Sequence, residues 1–176
     1  MIFLNRAHRP APLQRRLDAD FGAAFLKSQL AAGQRLPTDG TVFISVQNRD
    51  KRAVLLIAQR LRELGFTLIA TQGTAKALAN AGVAVESILK LHEGRPNVLD
   101  RIKQSDVHLI INTPSGRTTR ADEVKIRSAA TLLGIPCITT VVAAQASLHG
   151  IEAALKRRWT VRSIQEYHQT RASAGA

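Results

Sequence analysis

From residue 41 onward, short apolar runs alternate with stretches whose apolar residues recur every three or four positions. TVFISV (41–46) is rich in β-branched residues and reads as a strand. Val54, Ala58, Leu61 and Leu64 then mark one face of a helix over roughly 51–64, with Asp50 as its N-cap and Gly65 as its stop. TLIAT (67–71) is a second strand, leading into a short helix that ends near Asn80-Ala-Gly82. VAVESIL (83–89) is a third, interrupted by Glu86 and Ser87, and VHLIINT (107–113) is an almost unbroken apolar run with polar flanks. A helix over 121–133 ends at Gly134, PCITTVV from 136 is the fifth strand, 143–156 is helical, and TVRSI (160–164) is a short extra strand. Strands alternating with helices at this spacing imply βαβ units. The expected fold class is α/β: a doubly wound, mainly parallel five-stranded sheet with helices on both faces.

The first forty residues differ. DFGAAFLKSQLAAG (20–33) carries Phe21 and Phe25, then Leu26 and Leu30, at four-residue spacing, with Gly33 as its C′ residue. It predicts an amphipathic helix followed by the linker LPTDG (36–40). A helix this short takes most of its stability from packing, so its apolar face must dock on the α/β domain or on something outside this chain. The expected organisation is a tail, helix and linker over 1–40, the α/β domain over 41–168, and a disordered tail over 169–176.

Composition narrows the class. The 176 residues are 45% apolar and 22% charged, as in a globular protein. No apolar run approaches the ~20 residues that span a bilayer, and the start shows no secretory signal. A single cysteine, Cys137, cannot form an internal disulfide; the expected compartment is the cytoplasm. The net charge of +12 raises nucleic-acid binding as an alternative. Dispersed basic residues, among them Arg15-Arg16 and Arg157-Arg158, an aromatic content of 4% and the lack of a nucleic-acid motif argue against it.

In an open parallel sheet, ligands bind beyond the carboxyl ends of the strands, where helix N-termini offer N–H groups. Three such ends are equipped alike. SVQNRDK holds Ser45 with Arg49, Lys51 and Arg52; TQGTAK holds Thr71, Gly73, Thr74 and Lys76; NTPSGR holds Asn112, Thr113, Ser115, Gly116 and Arg117. Each alone is an ordinary polar turn. Together on one rim they fit a phosphate-bearing small molecule, because glycine admits close approach while hydroxyls, amides and cations meet phosphate oxygens. No Walker loop, dinucleotide fingerprint, zinc spacing or nucleophile elbow is present. KLHEGRPNVLDRIK (90–103) holds Lys90, His92, Glu93, Arg95 and Asp100, which read as a loop salt-bridge network rather than as an acid–base pair. No catalytic or metal-binding residue is expected.

SVQNRDK, GFTLIATQGTAKAL, KLHEGRPNVLDRIK, HLIINTPSG and the two threonines of CITTVV occur in an order and spacing similar to one family. Over residues 40 to 168 the chain resembles the C-terminal regulatory domain of the carbamoyl-phosphate synthetase large subunit, which has the methylglyoxal-synthase-like fold. DFGAAFLKSQLAAGQRLP resembles the segment that joins that domain to the second synthetase half, whereas residues 1 to about 17 do not resemble the synthetase. The chain is therefore expected to start almost at the regulatory domain, as a split, truncated or cut form would.

The resemblance implies an allosteric domain that binds a nucleoside monophosphate such as UMP or IMP and tunes carbamoyl phosphate synthesis for pyrimidine and arginine biosynthesis. It implies that Lys51, Thr71, Gly73, Thr74, Lys90 and Asn112 hold the phosphate, with Thr113 and Ser115 nearby, and that Thr139 and Thr140 lie near an ornithine-responsive surface. No cofactor is implied here, since ATP and metal ions belong to the other synthetase domains. Implied partners are those domains, the glutaminase small subunit and further copies of the chain; neither a membrane nor nucleic acid is implied. Pro114 stands where many members have a second threonine, which removes a hydroxyl and an N–H. The enzymatic alternative, a methylglyoxal synthase, needs a base aspartate and a histidine that SGRTTR and HEGRPNV do not supply. The cyclohydrolase domain of the bifunctional purine-synthesis enzyme shares a similar loop but fits HEGRP followed by NVLDRIK poorly.

Overall fold

The computed structural model describes residues 21–114 and 120–156. Eleven elements follow in order: α1 (Phe21–Ala31), β1 (Thr41–Ser45), α2 (Lys51–Glu63), β2 (Thr67–Thr71), α3 (Gln72–Ala79), β3 (Glu86–Ile88), α4 (Val98–Lys103), β4 (Leu109–Asn112), α5 (Arg120–Leu132), β5 (Cys137–Ile138) and α6 (Val141–Leu155). The five strands form one sheet in the order β3-β2-β1-β4-β5, and every pairing is parallel.

Alternation along β1 explains why helices cover both faces. Val42 and Ile44 point to one side, joining Leu68, Ala70, Leu109 and Ile111 beneath residues of α2, α3 and α6. Phe43 points to the other, with Ile69 and Ile110, against Val98 and Ile102 of α4 and Ile126 and Ala130 of α5. A strand buried on both faces needs apolar residues at every position, hence the unbroken runs in the sequence. The doubly wound α/β expectation holds.

Four details differ from the sequence pattern. The third strand is only Glu86–Ile88, because it lies at the sheet edge and pairs β2 alone, through Ile69–Glu86, Ala70–Ser87 and Thr71–Ile88. The fifth ends at Ile138: Thr140 leaves the sheet, and its hydroxyl accepts the N–H of Ala143, so Val141 and Val142 open α6 instead of extending a strand. Asp50 precedes α2 but caps nothing with its side chain; a 3₁₀ turn over Asn48–Asp50 occupies that place. Helix α4 arises within the mixed-charge stretch. Asn97 accepts the N–H of Leu99 while Asp100 accepts the N–H of Asn97, a reciprocal cap that starts the helix. Arg95 pairs with Asp100 in turn, and this contact, followed by the Asn97 amide, holds the Asp100 carboxyl below its ordinary range.

Helix α1 docks on α6. Of the predicted stripe, Leu26 is buried and Phe25 and Leu30 pack against the core, joined by Gly22 and Ala23, whereas Phe21 is 61% exposed, its ring stacked on Phe25 and edge-on to His149. A Cβ at Gly22 would fall 2.4 Å from the carbonyl oxygen of His149, so only glycine allows this approach. Burying Leu26 contributes about 1.5–3 kcal/mol to the docking. Gly33 takes φ +76° just beyond the helix, as its C′ role requires. TVRSI, Ser115, Arg15-Arg16, Arg157-Arg158 and both predicted tails lie outside the described residues.

Candidate functional site

Strand β1 is central, and the helices that follow β1 and β4 pack on opposite faces, so a crevice opens between these two strand ends. Register places Ser45 beside Asn112 at its floor. On the other flank β2 ends at Thr71, which passes directly into α3.

Ser45, Thr71 and Thr74 form a chain of hydroxyls. Thr71 Oγ1 lies 3.4 Å from Ser45 Oγ and 3.4 Å from Thr74 Oγ1. Contacts this long are weak, and one proton cannot serve both, so the hydroxyls are free to turn toward a stronger acceptor. The Thr71 backbone is extended, as at an N-cap, yet its side chain caps no amide of α3. First-turn N–H groups left so are an anion site when a ligand meets them. Lys51, the first residue of α2, points at them: a Cβ on Gly73 would sit 3.4 Å from its Nζ. Among the described residues Lys51 has no ion-pair partner. Lys90 also lines this hollow, with its Nζ 3.6 Å from Glu93 Oε1.

A second hollow continues from the first, sharing Ser45, Thr71 and Lys90. It holds about 540 Å³ of empty space, its open mouth included. Phe43, Val98 and Ile126 make an apolar wall, Asn112 adds an amide, and His92 and Asp122 stand at the edge. His92 Nδ1 is 2.9 Å from Asp122 Oδ2, a contact between residues thirty apart that local spacing does not reveal. The site is thus cationic and hydroxyl-rich at one end and apolar at the other.

The rim gathers Ser45, Lys51, Thr71, Gly73, Thr74, Lys90 and Asn112 around these joined hollows. Thr113 is adjacent but lines neither; it is 1% exposed, and its hydroxyl accepts the N–H of Gln47. Ser115 lies outside the described residues. Thr139 and Thr140 follow β5, away from both linings, with the Thr140 hydroxyl spent on the α6 cap. Reading strand ends alone overlooks the apolar wall, whose residues serve as core in the sequence pattern, and Gln47 and Asn48, which also line the smaller hollow. Among the described residues no group of three or more acidic, histidine or cysteine side chains could hold a metal ion, and no helix is long and apolar enough to cross a membrane.

Residues 53–139 match the family model for the MGS-like domain. The α/β unit is an MGS-like domain. The match covers Thr71, Gly73, Thr74, Lys90, Asn112 and Thr113, while Ser45 and Lys51 lie just before it. Beyond the domain, the chain is similar to proteins named carbamoyl phosphate synthase large chain. That of Archaeoglobus fulgidus is 49% identical over 154 residues, 87% of this chain and 14% of the relative. That of Acidobacterium capsulatum is 50% identical over 149 residues, 85% and 14% respectively. That of Mycobacterium tuberculosis is 47% identical over 160 residues, 87% and 14%. The chain therefore spans about one seventh of the length of these curated relatives, and the MGS-like domain is a small part of each.

Proposed function

We propose that this chain is the allosteric regulatory domain of a glutamine-dependent carbamoyl-phosphate synthetase large subunit, and that it binds a nucleoside monophosphate of the UMP or IMP type. The observation that carries the reading is the continuity of the two hollows. A phosphate would meet Lys51, Lys90, the hydroxyls of Ser45, Thr71 and Thr74 and the amides of α3, while the nucleoside extends along Phe43, Val98 and Ile126. Similarity to the large chains, of which this segment is a small part, supports a regulatory rather than a ligase role. In this reading no reaction is catalysed by the chain alone, and no cofactor is needed for binding. Its partners are the other synthetase domains and the glutaminase subunit in the cytoplasm, and its output is control of carbamoyl phosphate supply to pyrimidine and arginine synthesis.

The test is thermal stabilisation titrated with UMP, IMP, dihydroxyacetone phosphate and a single-stranded oligonucleotide. UMP or IMP is expected to raise Tm by mass action on the folded state. Lys51→Ala should weaken that binding by about 1.5–3 kcal/mol, roughly ten- to a hundredfold in Kd, as loss of a charge-assisted contact does. Stabilisation by the oligonucleotide alone, or release of methylglyoxal from dihydroxyacetone phosphate, would overturn the proposal.

A further inference from the structure

We infer that Thr113 is a positioning residue for the nucleotide site and not one of its ligands: its hydroxyl braces the loop between β1 and α2 so that Lys51 stays unpaired. The inference rests on the nucleotide site proposed above and concerns how that site is kept in a binding form.

Thr113 follows β4 and holds the exit of β1 twice. Its N–H donates to the carbonyl of Ser45 at 3.0 Å, and its Oγ1 accepts the N–H of Gln47 at 3.1 Å. The amide one residue earlier is held from the opposite flank, where Val46 donates to Thr74 Oγ1 at 3.3 Å. Two successive amides are thus fixed by threonines from the two flanks of β1, Thr113 after β4 and Thr74 in α3. Gln47 passes the restraint on: its Nε2 donates to Asp50 Oδ2 at 2.9 Å, and its carbonyl accepts the N–H of Asp50 at 3.0 Å.

The charge balance gives this chain its meaning. Asp50 directly precedes Lys51, and a carboxylate free to swing would either neutralise that ammonium or repel an incoming phosphate. Gln47 holds Oδ2 of Asp50 and Arg49 Nε lies 3.9 Å from Oδ1, so both oxygens have a neighbour other than Lys51. The ammonium is left facing the first turn of α3. A direct contact from Thr113 to an anion would need its hydroxyl on a pocket wall, and it lines neither hollow.

Three variants of the full chain test this by calorimetry with UMP and by amide exchange without nucleotide. Thr113→Val keeps the shape but orphans the Gln47 N–H; it is expected to weaken UMP about tenfold and to speed Gln47 exchange by about the same factor. Thr113→Ser should restore both values. Adding Asp50→Asn to Thr113→Val should recover most of the lost affinity, because the loosened group no longer carries charge. If Thr113→Val does not fold, Gln47→Met cuts the same link one step later, and its loss of affinity should also be recovered by Asp50→Asn. Wild-type affinity in Thr113→Val, a loss with Gln47 exchange unchanged, or a loss that Asp50→Asn leaves in place would each overturn the brace. Absence of UMP and IMP binding by the wild type would instead overturn the proposed function, and the nucleotide role of the brace with it.

Discussion

Gly73 is the second residue of α3, with an ordinary helical backbone, and a methyl group in its place would rest 3.4 Å from Lys51 Nζ. Two consequences of opposite sign follow. Alanine is the better helix former, by about 0.5–1 kcal/mol, so Gly73→Ala should raise the melting temperature of the free protein. The same methyl fills the space in which a phosphate oxygen would meet the ammonium and the amides, so UMP affinity should fall. Calorimetry and thermal melts on one variant measure both, and a gain in stability with unchanged affinity would show that Gly73 does not border the phosphate. No positive φ requires glycine here. His92 makes the contrasting point at this scale. Its neighbour in sequence is Glu93, but its partner in space is Asp122 on α5.

Helix α4 has only six residues, too few to hold itself, and depends on its cap and on the burial of Val98 and Ile102. Asn97→Ala should cost about 1 kcal/mol, read as a fall in urea midpoint with unchanged slope. The Asp100 carboxyl is held low first by Arg95 and then by the Asn97 amide. A carboxyl whose folded pKa lies below its unfolded one stabilises at pH values above the unfolded value, ordinarily 3.8, and this contribution is lost as pH falls through the folded value. The wild-type urea midpoint should therefore fall on acidification below about pH 4, and Asp100→Asn, which has no carboxyl to protonate, should lack this part of the fall. The cap was legible in principle, since Asn97 and Asp100 stand three apart before apolar residues; the surrounding charges disguised it as a loop. Strands β1, β2 and β4 were readable because burial on both faces forces continuous apolar runs. The end of β5 was not, because Thr140 looks like a strand residue until its hydroxyl is seen capping α6. The rim was legible as residue types at strand ends, whereas the role of Thr113 depends on a partner 66 residues away.

Across the whole molecule, α1 is attached through glycine. Gly22 lies against the His149 carbonyl, and a Cβ at Gly150 would fall 2.8 Å from Leu36 Cδ1 and 3.3 Å from Phe25 Cδ1. Gly22→Val should force the helices apart and cost about 1–3 kcal/mol, with α1 becoming the first site cut in limited proteolysis. An undisturbed cleavage pattern would mean that α6 yields instead. Arg60 reinforces the same side of the sheet, pairing with Glu152 of α6 at 2.5 Å and with Glu63 at 2.7 Å. These contacts fasten α1 and α2 to α6, but none reaches the crevice. The crevice depends on β1 lying between two strands that come later in the chain, with Ser45 waiting for Thr71 and Gln47 waiting for Thr113. During synthesis, then, a chain leaving the ribosome has the first wall of this crevice long before the last. The crevice between β1, β2 and β4 is therefore complete only after β4 has emerged.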